Sequence, residues 1–226
     1  MRDATKLTGV AVAALLAGAA AAGQGKFKVA DSYEDFAGIQ GINGWYYGYY
    51  NGNVANAYTP DDFEQMGVYD PDADRWWVDN AAGGPLTLID SVFMHPYSWS
   101  TTTEGDQPDH WAVRRWVSEI DGQVEIDVSM LRGPANNLGD GVRLHVFVDG
   151  VRRLIAELDP NNAAGLSMTL FETVAVGSVI DFAIDPINSA HFDGTKFNAV
   201  IMASVPAPSA LALVGLGGLV AVRRRR

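Results

Sequence analysis

The sequence lacks cysteine entirely and is poor in basic residues. Without cysteine the protein has neither a disulfide framework nor a thiol nucleophile, so its stability must come from a packed core. Only 16 Lys and Arg stand against 27 Asp and Glu, which gives a formal net charge of −11. Because nucleic acid requires a basic footprint on its partner, we expect no nucleic acid to bind this chain.

Catalytic motifs are missing as well. The chain has no G-x-S-x-G nucleophile elbow, and no two of its four histidines have the i, i+4 spacing of a metalloprotease helix. Carboxylates are numerous enough to form pairs by chance, and nothing in the sequence singles out one pair for glycoside hydrolysis. We therefore predict that the protein is not an enzyme.

The N-terminus has the order of features that is typical of a secretory signal peptide. Arg2 and Lys6 precede the apolar stretch "LTGVAVAALLAGAAAAG", which ends in small residues. We predict cleavage near Ala22, so that residues 1–22 form the signal peptide and the rest of the chain is exported. The alternative, an amphipathic helix of the mature protein, lacks a polar face.

The C-terminus, residues 205–226, reads "VPAPSALALVGLGGLVAVRRRR". A short proline motif is followed by an apolar stretch, residues 210–222, and then by four arginines. The apolar stretch is shorter than the roughly 20 residues that a helix needs to cross a full bilayer. A block of arginines directly after an apolar stretch stays on the cytoplasmic side of a membrane.

This tail resembles the PEP-CTERM sorting signal of Gram-negative bacteria. The motif corresponds to Pro206, Ala207 and Pro208, and the basic cluster includes Arg223 and Arg224. The resemblance implies that the tail holds an exported protein transiently in the inner membrane, and that an exosortase-type enzyme processes it on the way to the surface. Ala207 replaces the usual Glu, a departure that bears on recognition by an exosortase. A plain membrane anchor is the alternative, and it also places the body outside the cytoplasm.

Between the two ends, residues 23–204 alternate short apolar runs with Gly, Asn, Asp and Pro. This pattern predicts one all-β domain, an antiparallel β-sandwich or jelly roll. One short helical turn is predicted at residues 59–67, "TPDDFEQMG", because Thr59 suits the N-cap and Pro60 the first helical position. The predicted strands are residues 45–50, 75–78, 86–93, 112–119, 123–130, 142–148, 151–158, 166–171, 179–184 and 197–204.

Two Asp-Gly pairs, at residues 121–122 and 149–150, predict tight hairpins with type I′ turns. The first turn would place Trp116 opposite Asp127 and present both beside Arg114 on a polar face. The second turn would place Phe147 opposite Arg152. The side chains expected to face the core are those of Val113, Val117, Val124, Ile126, Val128, Val142, Leu144, Val146 and Val148.

The stretch "NGWYYGYYNG", residues 43–52, concentrates one Trp and four Tyr within six positions. In a strand, Trp45, Tyr47 and Tyr49 share one face, and the residues between them share the other. We expect one set to pack in the core of the sandwich. The other set is a candidate platform for stacking a sugar ring.

The segment "DPDAD" is a candidate calcium loop, because Asp70, Asp72 and Asp74 offer oxygen ligands at alternate positions. An EF-hand is excluded, because Arg75 stands where that loop needs Gly and Ala81 stands where it needs Glu. The alternative is a polar turn that leads into the next strand. No other cofactor is expected.

Four segments together resemble a module of secreted bacterial proteins from carbohydrate-rich surroundings, many of which carry PEP-CTERM signals. These are residues 35–52, "MHP" at 94–96, "WAVRRWVS" at 111–118 and "GDGVRLHVFVDG" at 139–150. The resemblance covers most of the mature body and implies a jelly-roll domain of the carbohydrate-binding type.

The sequence thus predicts an exported, non-enzymatic β-sandwich at the cell surface or in the extracellular matrix. The partner would be an exopolysaccharide or another glycan. The candidate ligand-binding residues are Arg114, Trp116, Asp127, Tyr47 and Tyr49. Two alternatives remain open: a structural, self-associating surface protein, and a polysaccharide lyase or hydrolase on the same fold.

Overall fold

The computed structural model describes residues 25–51, 60–79, 86–97, 110–133 and 139–204. The predicted signal peptide and sorting tail lie outside these residues, and residues Lys26–Val205 group into one compact unit. No helix in the described ranges is long and apolar enough to cross a membrane. The strands are β1 (Lys26–Asp31), β2 (Trp45–Asn51), β3 (Phe63–Gln65), β4 (Val68–Asp70), β5 (Arg75–Trp77), β6 (Leu88–Asp90), β7 (Phe93–His95), β8 (His110–Val117), β9 (Gly122–Arg132), β10 (Val142–Val148), β11 (Val151–Leu158), β12 (Leu166–Val174), β13 (Val179–Asp185) and β14 (Thr195–Ser204).

These strands form two antiparallel sheets that pack face to face. The eight-stranded sheet has the order β12-β9-β14-β7-β6-β5-β4, and β1 also pairs with β14. The six-stranded sheet has the order β11-β10-β13-β8-β2-β3. The predicted antiparallel β-sandwich is therefore confirmed. Several strands that follow one another in sequence lie in opposite sheets, which is the connectivity of a jelly roll.

The core lies between the sheets and is built from alternate residues of each strand. Along β9 the side chains of Val124, Ile126 and Val128 face the core, as predicted, and that of Met130 joins them. Along β10 the inward side chains are those of Val142, Leu144, Val146 and Val148, again as predicted. Burying so many branched apolar side chains stabilises a fold that contains no disulfide.

The hairpin predicted at Asp149-Gly150 is confirmed. Both turn residues have positive φ, 49° at Asp149 and 76° at Gly150, as a type I′ turn requires. Val148 pairs with Val151, and Phe147 pairs with Arg152.

The hairpin predicted at Asp121-Gly122 is wrong, because this segment carries the chain from one sheet to the other. Strand β8 belongs to the six-stranded sheet and β9 to the eight-stranded sheet. The Asp121 carboxylate accepts a hydrogen bond from the Val176 backbone at 2.9 Å instead of closing its own turn. The side chains of β8 that face the core are therefore the opposite set from the one predicted. Ala112 and Trp116 join the core between the sheets, and Val113 packs on the outer side.

Two further predictions are corrected locally. The predicted strand 86–93 is broken into β6 and β7, because the Asp90 side chain accepts hydrogen bonds from the backbones of Val92 and Phe93 and forms a turn. In the described part of the predicted helical turn, a 3-10 turn spans only Pro60–Asp62, and Phe63 already begins β3. The predicted N-cap, Thr59, lies outside the described residues.

Candidate functional site

The aromatic run forms β2, and the side that faces the other sheet belongs to the core. Trp45 and Tyr47 are fully buried, so the structure confirms core packing for this set. The Tyr47 ring packs against Phe36 and Trp76, with centroid distances of 4.8 and 6.0 Å. Burial raises the pKa of Tyr47 to about 12. Tyr47 is therefore not available to stack on a ligand.

Tyr49 lies at the rim of the same side and is only partly buried. Its hydroxyl donates to the Glu64 carboxylate at 2.6 Å, and its ring packs against His110 at 4.7 Å. Burial and the bond to Glu64 raise the pKa of Tyr49 to about 12. Of the two tyrosines predicted to bind ligand, Tyr49 alone keeps an accessible edge.

The other side of β2 is covered as well. Tyr50 packs with Trp111, Val113 and Phe147 in a second apolar cluster on the outer side of the six-stranded sheet. Its hydroxyl donates to Asp181 at 2.5 Å, and burial together with this carboxylate raises the pKa of Tyr50. Neither side of the aromatic run is a free platform.

Arg114 lies inside the core rather than on a polar face. Its guanidinium donates to three backbone carbonyls: Ser32 at 2.5 Å, Asp90 at 2.6 Å and Ser91 at 3.2 Å. It also lies 5.8 Å from the Phe197 ring centroid. Desolvation lowers the pKa of Arg114 to about 10. These contacts assign Arg114 a structural role, in which it ties the end of β1 and the β6–β7 turn to β8.

Trp116 is also buried, with 2% of its surface exposed. It pairs with Trp45 and Ile180 in neighbouring strands and not with Asp127. Its edge contributes to a pocket of about 270 Å³ at the end of β8. The other residues that line this pocket are Val29, Asp35, Asn43, Glu119 and Ile120.

Of Arg114, Trp116 and Asp127, which were predicted to lie side by side, only Asp127 lies on an open surface. It projects from the outer face of the eight-stranded sheet, where β9 lies between β12 and β14. Its carboxylate accepts a hydrogen bond from the Thr169 hydroxyl at 2.6 Å. The structure therefore does not bring Arg114, Trp116 and Asp127 together, because the predicted hairpin between β8 and β9 does not exist.

The same open face carries an exposed aromatic ring that was not among the predicted ligand-binding residues. Phe171 has 74% of its surface exposed and lies directly opposite Glu125, two residues along β9 and β12 from the paired Asp127 and Thr169. The signal for it was present in "LSMTLFETV". Leu166, Met168 and Leu170 pack against the core. Phe171 therefore falls in the outward series with serine and threonine.

A cleft of about 370 Å³ borders the Phe171 ring. Lys26 forms an ion pair with Glu125 across the intervening strand β14. The lining is mixed in charge and rich in hydrogen-bonding groups: Lys26, Gln123, Val124, Glu125, Phe171, Glu172, Thr173 and Ser204. We call this surface, extended to Asp127 and Thr169, the Phe171 face.

Comparisons with known proteins assign no family. No protein-family model and no curated protein matches the sequence. Solved structures of similar fold include a family 35 carbohydrate-binding module from Clostridium thermocellum, with 9% identity, a TM-score of 0.29, and coverage of 48% of this chain and 89% of that one. The K3 adhesin domain of Lys-gingipain from Porphyromonas gingivalis has 13% identity and a TM-score of 0.33, with coverage of 79% and 99%.

The CBM51-2 and INT domains of Clostridium perfringens ZmpB have 15% identity and a TM-score of 0.34. The match spans 46% of this chain and only a quarter (25%) of that one. At these identities and TM-scores, the likenesses carry no argument about function.

The predicted calcium loop is a polar turn between β4 and β5. The Asp70 carboxylate accepts hydrogen bonds from the backbones of Asp72 and Ala73, and Asp74 accepts one from the Tyr69 hydroxyl at 2.5 Å. These side chains serve the turn rather than a common centre. Within the described ranges, no three His, Cys, Asp or Glu side chains form a group that could hold a metal ion.

Proposed function

We propose that this protein is an exported, non-enzymatic β-sandwich that binds glycan on the Phe171 face. The single observation that carries this proposal is the Phe171 ring, which is 74% exposed on a sheet face of polar side chains. A large aromatic ring in such a position has no role in core packing, so its exposure needs a different explanation.

The chemistry of the Phe171 face suits a sugar. The apolar face of a pyranose ring can stack on Phe171, while its hydroxyls find acceptors in Glu125 and Asp127 and a hydroxyl partner in Thr173. One exposed aromatic contributes roughly 0.5–1.5 kcal/mol beyond its buried area, so a single site would bind weakly. Retention on an exopolysaccharide would then depend on several copies acting together.

The same geometry favours binding over catalysis. Glu125 and Asp127 project side by side from one strand on the outer face of the sheet. A glycosidase needs two carboxylates on opposite sides of the scissile bond, in a site that excludes bulk water. An open sheet face provides neither condition.

A structural, self-associating role is the second candidate. Strands β11 and β12 are the last strands of their sheets among the described residues, and both carry exposed apolar side chains. Val151 and Ile155 on β11 are 52% and 50% exposed. Exposed sheet edges of this kind are templates for pairing with a second chain.

The signal peptide at residues 1–22 and the sorting tail at residues 205–226 fit either role. Export would place the Phe171 face among extracellular polymers, and the tail would hold the chain in the inner membrane until an exosortase-type enzyme releases it. Mass spectrometry of the protein from its native envelope would test both ends.

A glycan array tests the proposal directly. The wild type is compared with Phe171→Ala and with Phe192→Ala, which removes a second exposed Phe near the other end of β9. We expect selective binding that Phe171→Ala reduces about 3- to 10-fold and that Phe192→Ala leaves unchanged. A folded wild type that binds no glycan, but associates in sedimentation as its concentration rises, would favour the structural role.

A further inference from the structure

The pocket of about 270 Å³ at the end of β8 shares no lining residue with the proposed glycan-binding surface. Strand β1 contributes Val29 to its lining, and Glu119 and Ile120 follow β8. Asp35 and Asn43 come from the connection between β1 and β2. Pockets for small ligands usually measure about 300–1,000 Å³, so this one has room for a single small molecule.

The indole N–H of Trp116 is a hydrogen-bond donor that the protein does not use. Trp116 is 2% exposed, yet its N–H donates to no acceptor among the described residues. A Cβ at Gly44 would lie 3.1 Å from Nε1 of Trp116, so the missing side chain leaves this edge of the ring open. A buried N–H normally has an acceptor, because leaving it unpaired is costly. The edge of Trp116 in the pocket therefore offers a fixed donor to a ligand.

Two carboxylates line the same pocket without a cation. Asp35 is held by neutral donors: its Oδ2 accepts from the Asp31 backbone at 2.7 Å, and its Oδ1 accepts from the Asn43 amide at 3.1 Å. The Glu119 carboxylate has no hydrogen bond or ion pair with any residue that the structure describes. No Lys, Arg or His is among the residues that line the pocket. The pocket therefore carries negative charge that a cationic ligand would offset.

The ligand set favours an organic cation over a metal ion. In the described ranges, no third acidic or histidine side chain joins Asp35 and Glu119 to form a group that could hold a metal. The remaining lining is an indole N–H, which repels a metal ion, and the apolar side chains of Val29 and Ile120. A fitting ligand has a positive donor, a neighbouring acceptor and an apolar face.

We propose that this pocket binds an amino sugar in its protonated form. The ammonium group donates to Glu119 and Asp35 in charge-assisted hydrogen bonds, and a neighbouring ring hydroxyl accepts from Nε1 of Trp116. The C–H face of the ring packs against Val29 and Ile120. Glucosamine combines these three features in one ring, whereas a neutral sugar lacks the cation. This site goes beyond the glycan binding proposed for the other surface and does not rest on it.

The indole of Trp116 itself reports occupation of the pocket. The chain has six tryptophans, so a ¹⁵N–¹H spectrum of the full-length protein contains few indole N–H signals. Trp116→Phe keeps an aromatic ring and removes the N–H, so the signal that disappears in this variant belongs to Trp116. Glucosamine is titrated into the wild type at about pH 6, where its amine is protonated. We expect the Trp116 signal to move saturably, with a dissociation constant in the millimolar range.

Two matched ligands test the chemistry. N-acetylglucosamine has the same ring but no charge on its nitrogen, and we expect it to bind at least about tenfold more weakly than glucosamine. Ethanolamine has an ammonium group and a neighbouring hydroxyl but no ring. We expect it to bind at least about threefold more weakly, because it cannot pack against Val29 and Ile120.

A matched pair of variants separates the pocket from the overall charge of the protein, since a net charge of −11 attracts any cation. Glu119→Gln removes one negative charge from the pocket, and the fold does not depend on this carboxylate. Asp72→Asn removes one negative charge from the β4–β5 turn instead. We expect Glu119→Gln to weaken glucosamine binding about 3- to 5-fold and Asp72→Asn to leave it unchanged.

Several results would overturn the proposal. One is a Trp116 signal of the folded wild type that does not move with glucosamine. Others are equal affinity of Glu119→Gln and Asp72→Asn for glucosamine, or binding of N-acetylglucosamine or ethanolamine as tight as that of glucosamine. A saturable shift that is selective for glucosamine and weakened only by Glu119→Gln supports it, whatever the glycan array shows for Phe171.

Discussion

The guanidinium of Arg114 donates to the backbone carbonyl of Ser32 at 2.5 Å, inside the core of the sandwich. A cation buried among carbonyl oxygens is expensive to leave unsatisfied. The contact therefore joins the N-terminal strand of the eight-stranded sheet to the centre of the six-stranded sheet.

Replacing Arg114 should destabilise the fold without touching any ligand. We expect Arg114→Ala to lower the free energy of unfolding by about 3 kcal/mol or more, because it leaves three carbonyls without their donor and opens a cavity. Arg114→Lys should rescue little, since an ammonium group cannot reproduce the fork of a guanidinium. Urea unfolding measures both, with exposed Arg152→Ala as the control within about 0.5 kcal/mol of wild type.

The glycine within the aromatic run is required by packing. A Cβ at Gly48 would collide with the Glu64 carbonyl oxygen and the Phe63 ring, both on the paired strand β3. We expect Gly48→Ala to cost about 1–3 kcal/mol of stability, because β3 would have to move away. Gly67→Ala is the control, since its Cβ would meet nothing within 4 Å. Equal unfolding midpoints for the two variants would contradict this account.

Binding on the Phe171 face should respond to chemistry as well as to shape. We expect Phe171→Trp to retain or strengthen glycan binding, and Asp127→Ala to weaken it about 3- to 10-fold through the loss of a hydroxyl acceptor. Trp116→Ala should unfold the protein at a lower urea concentration rather than remove a contact on the Phe171 face, because Trp116 is buried. Glycan affinity and urea midpoints, measured on the same samples, separate the two effects.

Acid should destabilise the protein through His95. Burial lowers the pKa of His95 below its ordinary value of 6.5, so the unfolded chain takes up a proton more readily than the folded one. The stability that the neutral ring contributes is present above pH 6.5 and is lost as the pH falls below it. An NMR titration should place the midpoint of His95 below 6.5, and a midpoint at or above that value would contradict the prediction.

Local patterns in the sequence correctly predicted structure where strands adjacent in the sequence also pair with each other. Asp149-Gly150 forms its predicted turn because strands β10 and β11 pair with each other. Asp121-Gly122 is the same dipeptide, but its carboxylate binds the backbone of Val176, 55 residues away. No window of the sequence contains that contact, so the register of the chain between the sheets could not be predicted from propensity alone.

The structure does not bring the predicted ligand-binding residues together, again because the deciding contacts join segments that are distant in the sequence. The alternation of Trp45 and Tyr47 correctly predicted a core face, since one face of a strand in a sandwich must be buried. Whether the opposite face is open depends on what other segments place over it, and Tyr50 is covered together with Phe147. Phe171 was predictable in principle, because it breaks an outward series of serine and threonine.

Strand β14 is the last of the described strands, yet it lies inside its sheet, with β9 on one side and β1 and β7 on the other. The eight-stranded sheet therefore cannot assemble until residues 195–204 have been synthesised. Nascent chains that lack this strand would expose the unpaired edges of β1 and β9, which are templates for aggregation. Strands β1 and β14 pair although they lie far apart in the sequence. Closing so long a loop before any strand pairing is gained makes folding slow. Folding of this protein is thus expected to be post-translational, and to need protection of the nascent chain until β14 is available.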